Sequence, residues 1–228
     1  MRIGGLQKTS LIDFPKRIAA IVFTHGCNFR CPYCHNPELV LSKHESLDEN
    51  YIFDFLKTRR GKLNGIVVTG GEPCLQKDLI SFLQEIKNFG FEIKLDTNGS
   101  EFNMLKKAVD EKLVDYIAMD IKAPLEKYEK VAGTNVNIQN IEKSINLIMT
   151  SGIEYEFRTT VTRELLSEDD FFDIGEMIKG AERYYLQKFL LSKVLDENFK
   201  TASSFDEEEF SECVKILKSF GIREVKVR

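Results

Sequence analysis

The chain has 228 residues, of which 43% are hydrophobic and 30% charged, enough apolar side chains for a sizeable buried core. Its 32 basic and 36 acidic side chains are mixed along the sequence and leave a formal net charge of −4, which argues against a broad electropositive face for nucleic acid. The longest apolar run, residues 18–23, is too short to span a bilayer, and no charged-then-apolar leader precedes it. Five cysteines, three of them within eight positions, fit a reducing compartment better than a disulfide framework. We therefore expect a cytoplasmic protein that binds neither nucleic acid nor membranes.

Short apolar segments alternate with amphipathic stretches along the chain. Strands are predicted over residues 18–24, 66–69, 92–96, 116–120, 154–160 and 184–190. Each is followed by a predicted helix with apolar residues at helical spacing; Ser46 and Glu49 match a capping box at the start of the first helix, and Gly221 ends the last. Alternation of this kind predicts a parallel sheet with helices outside it.

The number of strand–helix units limits the architecture. A closed eight-stranded barrel typically needs about 250 residues, whereas this chain has six such units and no long linker or repeat. We predict an α/β fold, a partial (βα)6 TIM-like barrel, forming a single domain over residues 1–228.

Three cysteines, Cys27, Cys31 and Cys34, follow the first predicted strand with the spacing C-x3-C-x2-C. Zinc sites and iron–sulfur cubes normally take four protein ligands. Three thiolates would leave one iron of a [4Fe–4S] cube without a protein ligand and free to bind a small molecule. Chance proximity is one alternative to this reading. Another is a zinc site whose fourth ligand comes from a nearby side chain, His25, His35 or Cys74.

Polar motifs also follow or close the next three predicted strands, and Arg158 lies near the end of the fifth, at the strand ends where the active sites of parallel barrels lie. They are Gly70, Gly71 and Glu72; Asp96, Thr97 and Asn98; Asp120 and Lys122; and Arg158. Glycines let a backbone approach a ligand closely, and a carboxylate accepts charge-assisted hydrogen bonds from an ammonium group. Simpler interpretations are a plain turn at residues 70–73, an Asx-type turn at residues 96–99, and a weak surface ion pair between Asp120 and Lys122.

Together, the cysteine motif and the Gly-Gly-Glu segment resemble the radical S-adenosylmethionine (SAM) superfamily. Residues 9–15 (TSLIDFP) and 23–39 (FTHGCNFRCPYCHNPEL) are similar to one branch of it, the anaerobic ribonucleoside-triphosphate reductase activating proteins of the glycyl-radical-enzyme activase group. Lys16 and His25 depart from the pattern of that branch, which has glycine and glutamine there.

The resemblance implies a radical SAM barrel whose three motif cysteines hold a [4Fe–4S] cluster with SAM bound at its open iron. Implied SAM contacts are Tyr33 near the adenine, Gly70, Gly71, Glu72 at the ammonium, Asn98, Lys122 at the carboxylate, and Arg158. A monovalent cation is implied beside SAM at Asp96, Thr97 and Asp120. The implied partners are the large subunit of an anaerobic ribonucleotide reductase, which would donate a glycine hydrogen atom, and a flavodoxin- or ferredoxin-type electron donor.

Other functions remain open from the sequence alone. They are a radical SAM enzyme acting on a small molecule, as in deazapurine biosynthesis, an activase of another glycyl-radical enzyme such as pyruvate formate-lyase, and a zinc-binding interaction module. Only Cys74 and Cys213 lie outside the motif, and both are expected to be small buried side chains. His35 is expected to order its loop through a hydrogen bond, His44 has no recognisable role, and residues 196–204 are the expected docking loop for a protein partner.

Overall fold

A computed structural model describes residues 1–42 and 45–228, so that His44 lies outside the described residues. The strands are β1 (Ile3–Ser10), β2 (Ala19–Thr24), β3 (Gly65–Gly70), β4 (Glu92–Thr97), β5 (Tyr116–Asp120), β6 (Glu154–Val161), β7 (Arg183–Lys188) and β8 (Glu224–Val227). The helices are α1 (Pro37–Val40), α2 (Glu49–Arg59), α3 (Leu79–Asn88), α4 (Phe102–Asp110), α5 (Tyr128–Ala132), α6 (Ile138–Thr150), α7 (Asp170–Met177) and α8 (Glu207–Ser219). Short 3-10 helices span Pro73–Leu75, Leu125–Lys127 and Glu197–Thr201.

The strands lie in one sheet in chain order, β1 to β8. β1 pairs antiparallel with β2, whereas β2 with β3, β3 with β4, β6 with β7, and β7 with β8 pair parallel. The six predicted strands correspond to β2 through β7, each followed by a helix, as predicted. Sequence reasoning missed β1, which is polar and largely exposed along its second half, and β8, which has four residues.

Two compact units are distinguished by the contacts within the chain. The first comprises Met1–Asn28, Glu38–Thr97 and Glu101–Ala118; the second comprises Phe29–Pro37, Asn98–Ser100 and Met119–Arg228. Strands of the first unit are buried over continuous apolar stretches such as Ala19–Val22, as expected when both faces of a parallel sheet are covered. Part of this core is a cluster of buried side chains from three strands and the loop before β2: Phe14, Ala19, Ile21, Val67 and Tyr116.

Helix ends differ from prediction at one place. The N-cap of α2 is Asp48, whose side chain accepts a hydrogen bond from the Asn50 amide at 2.9 Å, so the capping box predicted at Ser46 is wrong. A capping box instead opens α8: Asp206 accepts from the Glu209 amide, and the Glu209 carboxylate accepts from the Asp206 amide at 2.7 Å. α8 ends as predicted, just before Gly221 with φ +75°.

Within residues 1–42 and 45–228, we find no helix that is both long and apolar enough to cross a membrane.

Candidate functional site

In the first unit, the glycine pair at the end of β3, Gly70 and Gly71, is packed against the chain's own backbone. Gly70 has φ +119°, and a Cβ there would overlap the backbone of Thr24; a Cβ at Gly71 would overlap the carbonyl of Gly26. The Gly71 amide donates to the Thr24 carbonyl at 2.9 Å, and the Glu72 amide donates to the Gly26 carbonyl at 2.8 Å. Glycine is therefore required at both positions to fasten the end of β3 to the segment that leads into the cysteine motif. Contact of these glycines with a ligand stays a prediction.

Glu72 is fully buried and holds this turn through its side chain. Its Oε1 atom accepts hydrogen bonds from the Cys74 amide at 2.9 Å and from the Thr97 hydroxyl at 2.8 Å. The first bond caps the 3-10 helix Pro73–Leu75. Cys74 is buried, as predicted, and burial, reinforced by the charge of Glu72, raises the pKa of its thiol well above the usual range. The Glu72 carboxylate thus has a structural role, and its contact with the ammonium of SAM stays a prediction.

A buried ion pair on β4 was missed by sequence reasoning. Lys94 lies with its Nζ 2.5 Å from Oδ1 of Asp96 and 5.9 Å from the centre of the Tyr116 ring, and its side chain is only 3% exposed. Residues two apart on a strand share a face, so an apolar strand with a lysine two positions before an aspartate was the signal that could have revealed the pair. The chain therefore supplies its own cation at Asp96.

The monovalent cation implied at Asp96, Thr97 and Asp120 would have to share the Asp96 carboxylate with Lys94. An added cation there would lie beside the Lys94 ammonium, and two unit charges about 4 Å apart repel by about 4 kcal/mol at an effective dielectric constant of 20. The Lys94 ammonium therefore argues against an added cation at Asp96, and binding of a monovalent cation by Asp96, Thr97 and Asp120 stays a prediction.

Residues 98–100, which belong to the second unit, form the Asx-type turn. Oδ1 of Asn98 accepts hydrogen bonds from the amide of Ser100 at 3.0 Å and from its hydroxyl at 2.6 Å. Gly99 has φ +76°, and its carbonyl accepts from the hydroxyl of Ser144 in α6 at 2.7 Å. An Asx-type turn is therefore present, but at residues 98–100 rather than 96–99, and the N-cap of α4 is Glu101. Contact of Asn98 with SAM stays a prediction.

At the end of β5, Asp120 bridges two cations. Lys122 donates from Nζ to Oδ2 at 3.0 Å, and Arg158 on β6 donates from Nε to Oδ1 at 2.8 Å. The side chains of Lys122, Asp120 and Arg158 are 14%, 29% and 14% exposed, so the interpretation as a solvated surface pair is wrong. Arg158 also lies 3.9 Å from Glu156, which pairs with Arg228 at 3.4 Å. The three cations and two carboxylates together leave an excess of one positive charge, which suits an anionic group such as a carboxylate.

The pKa values of these groups keep the cluster charged. Burial opposes ionisation of Asp120, but Arg158 and Lys122 outweigh it and hold its pKa below the usual range. Burial likewise opposes the charge on Lys122, but Asp120 outweighs it, with smaller contributions from Tyr33 and Cys31, so the pKa of Lys122 lies well above its usual value. Burial raises the pKa of Cys31 although Lys122 opposes this. The second unit thus places the Lys122 ammonium near one of the motif cysteines.

Further contacts anchor the part of the cysteine motif that belongs to the second unit. The amide of Arg30 donates to the carbonyl of Ala132 at 2.7 Å. His35, directly after Cys34, lies with Nδ1 2.8 Å from the hydroxyl of Ser192 and stacks on Phe189 with ring centroids 5.4 Å apart. The prediction that His35 orders its loop by hydrogen bonding is confirmed.

Comparison with known proteins identifies the protein family to which this chain belongs. A family model described as the radical SAM superfamily matches residues 21–178, from β2 to just beyond α7. The chain belongs to the radical SAM superfamily.

Two relatives extend this assignment. An inferred glycyl-radical enzyme activating enzyme of Methanocaldococcus jannaschii is 34% identical over 226 residues, covering 96% of this chain and 92% of that protein. A pyruvate formate-lyase-activating enzyme of Streptococcus mutans is 30% identical, covering 82% of this chain and 74% of that protein. The chain is a radical SAM enzyme of the class to which such activating enzymes belong.

Solved structures agree in fold. A domain of a pyruvate-formate lyase-activating enzyme from Bacteroides vulgatus superimposes with a TM-score of 0.58 at 17% identity, over 72% of this chain and 98% of that one. Native anSMEcpe with bound SAM gives a TM-score of 0.64 at 19% identity, over 89% of this chain and 61% of that one. The predicted α/β fold of the radical SAM type is confirmed.

Radical SAM enzymes use a [4Fe–4S] cluster and SAM, and the residues present fit both. Thiolates are the usual ligands of such a cluster; Cys31 is buried, and Cys27 and Cys34 are partly exposed. In the second unit the buried hydroxyl of Tyr33 meets no nitrogen or oxygen partner among the described residues and has only the weakly hydrogen-bonding thiol of Cys31 nearby. Because a buried polar group without a partner costs about 1–3 kcal/mol, Tyr33 is a candidate for contact with a polar ligand.

The structure does not test joint ligation by the three cysteines. Cys27 belongs to the first unit, and Cys31 and Cys34 belong to the second. Within the part of the chain that the structure describes, no group of three His, Cys, Asp or Glu side chains is arranged around a metal position. Ligation by the motif therefore stays a prediction.

Proposed function

We propose that this enzyme activates an anaerobic ribonucleoside-triphosphate reductase by forming a glycyl radical in its large subunit. The observation that carries the proposal is the 34% identity to the activating-enzyme relative over nearly the full length of both chains. The choice of reductase as target rests on the motifs at residues 9–15 and 23–39, which are similar to the reductase-activating branch.

Cys27, Cys31 and Cys34 are the proposed ligands of the cluster. When bound, the cluster and SAM supply the reducing electron and the 5′-deoxyadenosyl group that takes a hydrogen atom from the α-carbon of the target glycine. The protein contributes orientation and exclusion of water.

Lys122 is the residue we assign to the carboxylate of SAM, and Arg158 supports it indirectly. Asp120 accepts from both cations, so the Lys122 ammonium is held in place before a ligand arrives. A preorganised charge binds more tightly because less side-chain freedom is lost on binding. Glu72 is assigned to the ammonium end of SAM, and Tyr33 to the region of the adenine.

Pyruvate formate-lyase is the second candidate target. The S. mutans relative and a Staphylococcus aureus protein of 33% identity are both pyruvate formate-lyase-activating enzymes. The two targets differ only in the protein that carries the glycine, so the same cofactor chemistry serves either.

Electron paramagnetic resonance distinguishes the targets. The purified enzyme, with its cluster reconstituted, is mixed anaerobically with SAM, a reductant and either the reductase or the formate-lyase of the same organism. We expect a glycyl-type doublet on the reductase and none on a reductase variant whose radical glycine is alanine. A doublet on the formate-lyase alone would contradict the reductase as target and support pyruvate formate-lyase instead. SAM turnover that depends on a small molecule, without any protein radical, would favour a biosynthetic enzyme.

The cellular setting that we propose follows from this chemistry. The enzyme would act in the cytoplasm as a single radical SAM domain and receive its electron from a flavodoxin- or ferredoxin-type protein. The electron donor is tested by mixing the enzyme with each purified donor protein and following reduction of the cluster in its optical spectrum.

A further inference from the structure

One face of the sheet in the second unit carries polar side chains. Arg158 and Thr160 on β6 pair with Tyr185 and Gln187 on β7. Residues two apart on a strand share a face, and so do paired residues on parallel strands, so all four side chains lie on the same side of the sheet. The opposite face of the two strands is fully buried and contains these apolar and aromatic side chains: Phe157, Val161, Tyr184 and Leu186.

The two ends of this polar face differ. Toward the start of the strands it is filled, because the Arg228 guanidinium lies 3.4 Å from the centre of the Tyr185 ring and 3.4 Å from the Glu156 carboxylate. Both Tyr185 and Glu156 are buried. Toward the strand ends, Thr160 and Gln187 are only half-buried. A ligand can therefore reach the polar face at the pair formed by Thr160 and Gln187.

The side-chain amide of Gln187 has spare hydrogen-bonding capacity. Across residues 1–42 and 45–228, the contact found for it is with the Thr160 hydroxyl, at 3.5 Å from oxygen to oxygen, much longer than the usual length of about 2.7–2.8 Å. An amide has donors at one end and an acceptor at the other, so one end is without a partner whichever way it is turned. Thr160 lies two residues beyond Arg158, which is held by Asp120, or about 7 Å further along β6. A neutral hydrogen-bonding pair thus adjoins the charged cluster.

The chemistry of a glycine substrate gives this pair a meaning. Glycine has no side chain, so the groups next to its α-carbon are the N–H and C=O groups of its peptide bonds, which carry no charge. A glutamine amide can donate to the carbonyl and accept from the N–H of a peptide chain, and a threonine hydroxyl can do either. The amino-acid end of SAM is charged and suits the ionic cluster instead. The neutral pair therefore matches a peptide main chain better than it matches that end of SAM.

We propose that Gln187, together with Thr160, hydrogen-bonds the main chain of the target protein at its glycine and holds the α-carbon in place. This inference rests on the proposed function and adds residues that bind its protein substrate. An enzyme without these bonds holds the glycine less tightly and less precisely, so it cleaves SAM more often without forming a glycyl radical. Docking of the partner by residues 196–204 stays a separate prediction.

The test compares Gln187→Leu with the unchanged enzyme and with Gln139→Leu, which alters an exposed glutamine in the first turn of α6. Each protein is reconstituted and normalised to its iron and sulfide content. Glycyl radical formation is measured by electron paramagnetic resonance while the concentration of the protein that accepts the radical is varied, and 5′-deoxyadenosine is quantified in the same samples. SAM affinity is measured by equilibrium dialysis.

Gln187→Leu should lower kcat/KM for the target protein roughly fivefold or more, as expected for the loss of one or two neutral hydrogen bonds. It should also release more 5′-deoxyadenosine per glycyl radical than the unchanged enzyme. Its SAM affinity should stay as it was. Gln139→Leu should match the unchanged enzyme in all three measurements.

Thr160 provides a second, independent comparison. Thr160→Val removes the hydroxyl but keeps the branched shape that suits a strand, whereas Thr160→Ser keeps the hydroxyl. We expect Thr160→Val to lower kcat/KM roughly two- to fivefold and Thr160→Ser to retain it. If Gln187→Leu melts far below the unchanged protein, this comparison decides, and equal values for the two Thr160 variants would overturn the assignment.

The possible outcomes separate this inference from the function on which it rests. Unchanged kcat/KM in a folded Gln187→Leu, or an equal loss in Gln139→Leu, would overturn the assignment of Gln187 and leave the proposed function intact. A loss of SAM affinity as large as the loss of kcat/KM would also overturn it, because Gln187 would then act on SAM rather than on the target protein. If the unchanged enzyme forms no glycyl radical on either target, the proposed function is contradicted, and this inference with it.

Discussion

Lys94 and Asp96, whose side chains are 3% and 13% exposed, form an ion pair two residues apart on β4, with Nζ 2.5 Å from Oδ1. The pair lies in the first unit directly before Thr97, which donates to Glu72. An ammonium tethered to the chain needs no uptake of an ion from solution. The region around Asp96 is therefore expected to be assembled in the same way whichever salt is present.

Lys94→Met tests this arrangement. The substitution keeps the apolar stem but leaves the Asp96 carboxylate without its cation, which we expect to lower the free energy of unfolding by about 3–5 kcal/mol. A potassium ion could then take the place of the ammonium. Melting temperatures of the variant should rise when tetramethylammonium chloride is replaced by potassium chloride at equal ionic strength, whereas those of the unchanged protein should not.

Lys106→Met is the matched control, because Lys106 pairs with Asp110 on the exposed face of α4. Exposed pairs of this kind contribute about 0–1 kcal/mol, so little loss of stability and no specific potassium effect are expected. A potassium response in the unchanged protein, equal to that of Lys94→Met, would show that Lys94 does not serve as the internal cation.

The Lys122 ammonium is expected to contribute directly to SAM affinity. Loss of one charge-assisted contact costs about 1.5–3 kcal/mol, or roughly ten- to a hundredfold in affinity. Lys122→Met should weaken SAM binding by that factor, measured by equilibrium dialysis with labelled SAM, and leave the absorption of the reconstituted cluster unchanged. Lys179→Met, which removes an exposed pair with Glu176 on the same unit, should leave SAM affinity as it was. If Lys122→Met bound SAM as tightly as the unchanged enzyme, this would contradict the assignment of Lys122 to the SAM carboxylate.

Much of the fold was predictable because buried parallel strands are continuous apolar runs. β2 and β3 are recognised from such runs, and the helices that follow them from apolar residues at helical spacing. β1 was missed because its sequence has two glycines and a polar, exposed second half, so it lacks that signal. The capping box was misplaced since both Ser46 and Asp48 are good N-cap residues, and the choice between them depends on tertiary contacts such as the bridge from Leu47 to Ile3.

The candidate site was predictable where its geometry is local. Alternation on a strand correctly places Asp120 and Lys122 on one face. The contact of Arg158 with Asp120 joins residues 38 positions apart, and no local pattern specifies it. Lys94 was overlooked because a single lysine within an apolar strand is easily taken as an exposed position, although its spacing of two residues from Asp96 places both on one face.

Ligation by the motif cysteines is tested by comparing Cys31→Ala with Cys74→Ala. Both residues are buried, so both substitutions remove a buried thiol, but only Cys31 belongs to the motif. Cys31→Ala should lose the brown chromophore, or hold it only weakly, and SAM cleavage under dithionite should disappear. Cys74→Ala should keep both. Full SAM cleavage by Cys31→Ala would contradict the ligand assignment.

Cys213 is expected to be inert in the folded protein. It is fully buried on α8, and burial, with a smaller effect from Glu168, raises its pKa to about 12. Only the thiolate reacts with iodoacetamide, and an unfolded cysteine has a pKa of about 8.5. Because the folded pKa is raised, the stabilisation linked to this group is present below about pH 8.5 and is lost as pH rises toward 12. Peptide mapping after alkylation at pH 8.5 should find Cys213 labelled only when the protein is unfolded; rapid labelling in the native state would contradict its burial.

Two substitutions separate the charge of Glu72 from its role in holding the turn. Glu72→Gln keeps an oxygen that can accept from the Cys74 amide and the Thr97 hydroxyl, but removes the negative charge proposed to face the SAM ammonium. We expect SAM affinity to fall roughly ten- to a hundredfold with the melting temperature changed by only a few degrees. Thr97→Val removes one hydrogen bond to Glu72 and keeps the charge, so it should weaken SAM binding less than Glu72→Gln. If the two variants lose SAM affinity equally, Glu72 acts only by shaping the turn, and its charge makes no contribution to binding.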